Sequence, residues 1–85
     1  MEYIVISSRT RTGAIKISKA LFGANIDNKV INTPKEAKIG CGLSVAIRPG
    51  DFKRAVFALN RAGIYGEYAP FLVREVYGKR SVKRI

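Results

Sequence analysis

Apolar and polar positions along this chain follow two different periods. Tyr3-Ile4-Val5-Ile6 is a short, continuous apolar run rich in β-branched residues. That pattern predicts a strand covered on at least one face. Ala14, Ile17, Leu21 and Ala24 then recur at helical spacing. Ser8 to Thr12 offers N-cap residues before them and Gly23 a stop, so a helix is expected over about 11–23. Asn25 to Asn28 has turn chemistry. Lys29-Val30-Ile31-Asn32 reads as a short second strand ended by Pro34.

The period returns to two at Leu43, Val45 and Ile47, which predicts a third strand over about 42–48. Pro49-Gly50-Asp51 turns the chain into a second helix, with Asp51 expected as its N-cap. Phe52, Ala55, Val56, Leu59 and Ala62 form its apolar stripe, and Gly63 suits the C′ position. Phe71 to Tyr77 is strand-like, with Pro70 placed as the first residue of an edge strand. Gly78 to Ile85 carries four basic residues in eight and is expected to fray.

The resulting order, β-α-β-β-α-β, predicts an α+β fold of the ferredoxin-like, split β-α-β plait type. It has a four-stranded antiparallel sheet with two helices on one face, the first and third strands being central. Residues 1–78 are expected to form a single domain, and 79–85 a basic C-terminal tail.

Composition narrows the function. Eighty-five residues suit one domain with a modest core. The chain has no histidine, which excludes Ser-His-Asp and Cys-His arrangements within it and most zinc sites. A catalytic base would have to come from Glu36, Asp51, a lysine or a partner. One cysteine excludes an internal disulfide framework, so a cytoplasmic location is expected. The N-terminus reads as a strand rather than a basic signal leader. No apolar run approaches the roughly 20 residues that span a bilayer. No metal or organic cofactor is indicated.

The net charge of +10 points to an anionic partner. Nucleic acid is one candidate, with Tyr3, Phe71 and Tyr77 as possible stacking residues. The third strand, however, lacks the aromatic-rich pattern of sheet-based RNA binders. A helix-free sheet face also makes a homodimer plausible, because that face needs covering.

The one cysteine, Cys41, sits between Gly40 and Gly42 and follows Pro34-Lys35-Glu36-Ala37-Lys38. Glycines on both sides leave room for close approach. Lys35 and Lys38 would favour the thiolate, the form that attacks, exchanges or carries sulfur. A lone cysteine is equally consistent with a small buried apolar side chain. Glu36 is expected to be a solvated charge paired with Lys35 or Lys38 rather than a proton-transfer group. The segment after Pro34 is suited to one helical turn.

Thr33-Pro34-Lys35-Glu36 followed by Gly40-Cys41-Gly42-Leu43-Ser44 resembles the signature of the DUF3343 family of selenium/sulfur carrier-like proteins. Members show Pro-Arg-Glu, a short spacer, and Cys-Gly-Leu or Cys-Gly-Ile opening a strand. Lys35 stands where the family has arginine, which removes bidentate anion recognition. The resemblance covers roughly residues 3–67. It implies a carrier rather than a stand-alone enzyme. Cys41 would bear a persulfide or perselenide, with Pro34, Lys35, Glu36 and Gly42 as its motif neighbours; the residue reading adds Lys38 and Gly40 to this candidate binding set. A sulfur or selenium donor protein and an acceptor protein would be its partners.

Overall fold

The expected strands and helices form in the expected order in the computed structural model, which describes residues 1–40 and 42–85. They are β1 (Glu2–Ser8), α1 (Arg11–Gly23), β2 (Lys29–Asn32), β3 (Leu43–Ile47), α2 (Phe52–Arg61) and β4 (Tyr68–Val76). A further strand, β5 (Lys79–Arg84), follows. The sheet is antiparallel with order β2-β3-β1-β4-β5. Among the described residues, no helix is long and apolar enough to cross a membrane.

The fifth strand corrects the expected four-stranded sheet and the expected frayed tail. Val76 is followed by Tyr77 at φ 51° and Gly78 at φ 79°. Positive φ at both central residues is the type I′ pattern, whose twist suits a two-residue hairpin. The chain therefore returns along β4, with Val82 opposite Val73. Only Val82 among the β5 residues is half-buried. That single apolar position is too little to announce a strand by alternation, and tyrosine is an unusual residue for a positive φ.

Pro70 also departs from expectation. It is the third residue of β4, opposite Ile6, and not the start of an edge strand. Its carbonyl accepts from the Ile85 N–H on the β5 side. Its nitrogen points the same way, just past the last β5 residue, Arg84, whose partner is Phe71. The missing N–H therefore falls at the end of the β4–β5 pairing, opposite the last residue Ile85 and not within the paired run from Phe71 to Val76.

The first helix begins with a built cap: the Gly13 N–H donates to Thr10 Oγ1 at 2.9 Å. The second does not. Asp51 makes no side-chain cap, contrary to expectation. Residues Pro49–Asp51 form a 3-10 turn that leads into α2. The Asp51 carboxylate is instead held between Arg48 at 3.3 Å and Arg54 at 3.1 Å.

The two faces of the sheet are covered differently. On one, Ile4, Ile6, Val45 and Ile47 pack against Ile17 and Leu21 of α1 and Ala55 and Leu59 of α2. Ile26, read from sequence as part of a turn, is also buried in this core. On the other face lie Val5, Ala69, Phe71 and Val73. Because β1 is buried on both faces, its sequence is continuously apolar rather than alternating. Among the described residues neither α-helix covers the second face. Part of its cover is Ala37, with Ile39 packed beside it, both from the connection between β2 and β3. The chain thus supplies from a loop some of the cover for which a second copy was expected.

Candidate functional site: the loop between the second and third strands

Local chemistry starts the loop. Pro34 ends β2 and takes φ −56°, and the next residues, Lys35–Ala37, form a 3-10 turn. This is the single helical turn expected after Pro34. Ala37 and Pro34 are buried against the sheet, while Lys35, Glu36 and Lys38 are exposed. Gly40 and Gly42 are also exposed. Cys41 lies outside the described residues, so its expected relation to Lys35 and Lys38 is taken up as a proposal below.

Three sets of contacts hold the loop to the sheet. The first is a chain of hydroxyls beneath it. Ser7 on β1 and Ser44 on β3 are directly opposite each other, and both are fully buried. Ser7 donates to the Ala37 carbonyl at 2.6 Å, and Ser44 donates to Ser7 at 3.3 Å. Thr33 lies 2.6 Å from Ser44. A serine hydroxyl has one proton, so with Ser44's spent on Ser7, Thr33 is the donor to Ser44. Every hydroxyl in the chain is satisfied, as burial requires.

The second set closes the neck of the loop and pins its far end. The Thr33 N–H donates to the Gly42 carbonyl at 2.8 Å. Gly40 lies against the backbone of Arg9, at the end of β1 and just before the cap of α1. A Cβ on Gly40 would stand 2.6 Å from the Arg9 carbonyl oxygen and 2.8 Å from its Cα. Real Cβ atoms do not come that close, so only glycine fits. Nothing lies within 4 Å of a Cβ placed on Gly42. The two glycines therefore do different things. The room at Gly40 is taken by this chain's own backbone, and the room at Gly42 is open.

The third set ties the loop to β5. Arg80 donates to Glu36 Oε1 at 2.9 Å. This corrects the expected pairing of Glu36 with Lys35 or Lys38. A hydrogen bond from its own backbone amide, with the Arg80 guanidinium and the Lys35 charge, holds the Glu36 carboxyl below the usual carboxylate range. A depressed carboxylate pKa adds stability above its unfolded value, about 4.3, and loses it as pH falls through the lower folded value. Arg80→Ala is expected to move the Glu36 titration back up toward the ordinary range, followed through the side-chain carboxyl carbon by NMR. An unchanged midpoint would mean the pair does not form in solution.

The aromatics considered for base stacking share no open surface. Tyr3 is half-buried and donates to Glu75 Oε1 at 3.0 Å. Phe71 is buried in the cluster that Ala37 joins, with the Arg84 guanidinium 5.8 Å from its ring centroid. Tyr77 is fully exposed in the hairpin turn.

Sequence reasoning placed the loop but missed what supports it: Ser7, Ser44, Arg9 and Arg80. Ser7 and Ser8 ending an otherwise apolar strand were the available signal for a buried polar contact. Nothing local links Glu36 with Arg80, which are 44 residues apart.

No match was found among curated proteins or among solved structures. A family model described as "Putative Se/S carrier protein-like" does match, over residues 2–68. That span takes in β1, both helices, the pinned loop and β3, and the chain belongs to this family.

Proposed function

We propose that the protein is a carrier of sulfane sulfur or selenium, with Cys41 as the loaded atom's anchor. The observation that carries the reading is the family match across residues 2–68, which includes the whole Pro34–Gly42 loop. The loop's construction supports it. Its apolar residues and hydroxyl contacts are turned to the sheet, and Lys35 and Lys38 are left exposed, neither forming a salt bridge among the described residues. Ammonium groups of this kind favour a thiolate and its persulfide anion.

In the proposed transfer the Cys41 thiolate attacks the terminal sulfur of a donor persulfide. The new Sγ–S bond forms as the donor's S–S bond breaks, and the donor leaves as a thiolate. The proton on the terminal sulfur travels with it, and no net oxidation occurs. An acceptor thiolate reverses the step. The chemistry suits a reducing compartment such as the cytoplasm. The order β2-β3-β1-β4, with both helices on one face, supports reading these elements as a split β-α-β plait extended by β5.

Intact-mass spectrometry after incubation with a persulfide donor tests the carrier role. The wild type is expected to gain the mass of one sulfur, and Cys41→Ser none. Equal gains on both, or no gain on the wild type, would overturn the proposal.

A further inference from the structure

A groove runs between α1 and α2 on the helical side of the sheet. Ala20 and Ala24 form one wall, Ala58 and Ala62 the other. Small side chains keep it open where larger ones would have closed the two helices on each other. Phe57 stands at its edge, 64% exposed, with the Arg61 guanidinium 5.9 Å from its ring centroid. Lys53, Arg54 and Arg61 are the charged residues lining it, and no acidic residue does. Arg54 is already neutralised by Asp51. Among the described residues, neither Lys53 nor Arg61 has a carboxylate partner.

We propose that this groove docks an acidic amphipathic helical segment of a partner protein. The segment's apolar side chains would seat on the alanine walls and Phe57, and its carboxylates would meet Lys53 and Arg61. Charge complementarity chooses the occupant: an apolar trough flanked by uncompensated cations fits an apolar stripe flanked by acids. A nucleic acid backbone would use the cations and leave the trough unfilled. Aromatic residues and arginine are both enriched at protein interfaces, and Phe57 and Arg61 place one of each at the edge of the groove. The groove lies on the helical face, and the Pro34–Gly42 loop packs on the opposite one. A partner held here would leave that loop uncovered.

The test is fluorescence anisotropy with a labelled synthetic helical peptide carrying leucine at i, i+3, i+4 and i+7 between glutamates. The wild type is expected to bind it and to ignore the same peptide with lysine in place of glutamate. Lys53→Glu/Arg61→Glu should weaken binding by about tenfold or more, and Phe57→Ala by about fivefold. Lys79→Glu/Lys83→Glu on β5 has the same net charge and should stay within about twofold. All substituted side chains are exposed, and circular dichroism checks that each variant folds. Equal losses in the two charge-reversed variants would reduce the binding to bulk charge and overturn the proposal. So would absence of peptide binding, or binding of a single-stranded oligonucleotide in its place. The assay involves no sulfur loading, so its outcome is separate from that of the carrier test.

Discussion

Gly40→Ala is expected to destabilise the protein by about 1–3 kcal/mol, the usual cost when an added methyl forces backbone to move. The reason is local and geometric. The new Cβ would meet the Arg9 carbonyl oxygen at 2.6 Å and the Arg9 Cα at 2.8 Å. Both are backbone atoms at the junction of β1 and α1, so neither can rotate away as a flexible side chain would. The loop must lift from Arg9 or the junction must shift. Gly42→Ala is the matched control, because a Cβ there meets nothing within 4 Å. It is expected to stay within about 0.5 kcal/mol of wild type. Urea denaturation of the two variants decides the point. Alkylation rates followed against pH add a functional reading. If Gly40 positions the segment around Cys41, the thiol's apparent pKa shifts in Gly40→Ala and stays in place in Gly42→Ala. Equal stability of the two variants would show that the Arg9 contact is not made.

Ser7→Ala is expected to cost a similar amount, about 1–3 kcal/mol, by a different route. Removing one oxygen leaves the buried Ala37 carbonyl without its donor and deprives Ser44 of its acceptor. Both groups sit between the sheet and the loop, so water cannot readily replace the lost bonds. The loop is then fastened mainly by Thr33 and Gly42 at the neck, by Gly40 at Arg9 and by Arg80 at Glu36. Amide hydrogen exchange distinguishes loosening from global loss. The Ala37 amide, which donates to Pro34 within the 3-10 turn, is expected to lose protection well before the amides of β1 and β3. Uniform loss of protection would mean that the hydroxyl chain serves the sheet as a whole rather than the loop.

Much of the fold was legible because it depends on periodicity. Ala14, Ile17 and Leu21 lie on the buried stripe of α1, as their spacing requires. Leu43, Val45 and Ile47 lie on one side of β3 because successive side chains in a strand alternate. The Pro34 turn was legible from proline's restricted φ. The failures have different causes. Asp51 has the composition of a cap, yet two arginines one turn away on either side compete for its carboxylate and win. Pro70 reads as a strand start, yet a strand tolerates proline wherever the missing N–H faces past the end of its neighbour. For Pro70 the outcome depends on a strand that arrives from elsewhere in the chain, and for Asp51 on two arginines only three residues away whose side chains reach its carboxylate first.

The same division applies to the candidate site. Residue order alone determined that a cysteine stands between two glycines after Pro-Lys-Glu, and that the chain is strongly basic. It also determined where the helices and most strands run, since those follow from side-chain period and backbone preference over a few residues. Only the tertiary structure decided that Gly40 is spent on Arg9 while Gly42 is open, and that Glu36 belongs to Arg80. It likewise decided that Ser7 and Ser44 form the floor beneath the loop, and that Arg80 of β5 reaches the loop at Glu36. Each of these is a meeting of residues far apart in the chain. Such meetings are set by strand register and the packing of the second sheet face, and no short-range pattern encodes them.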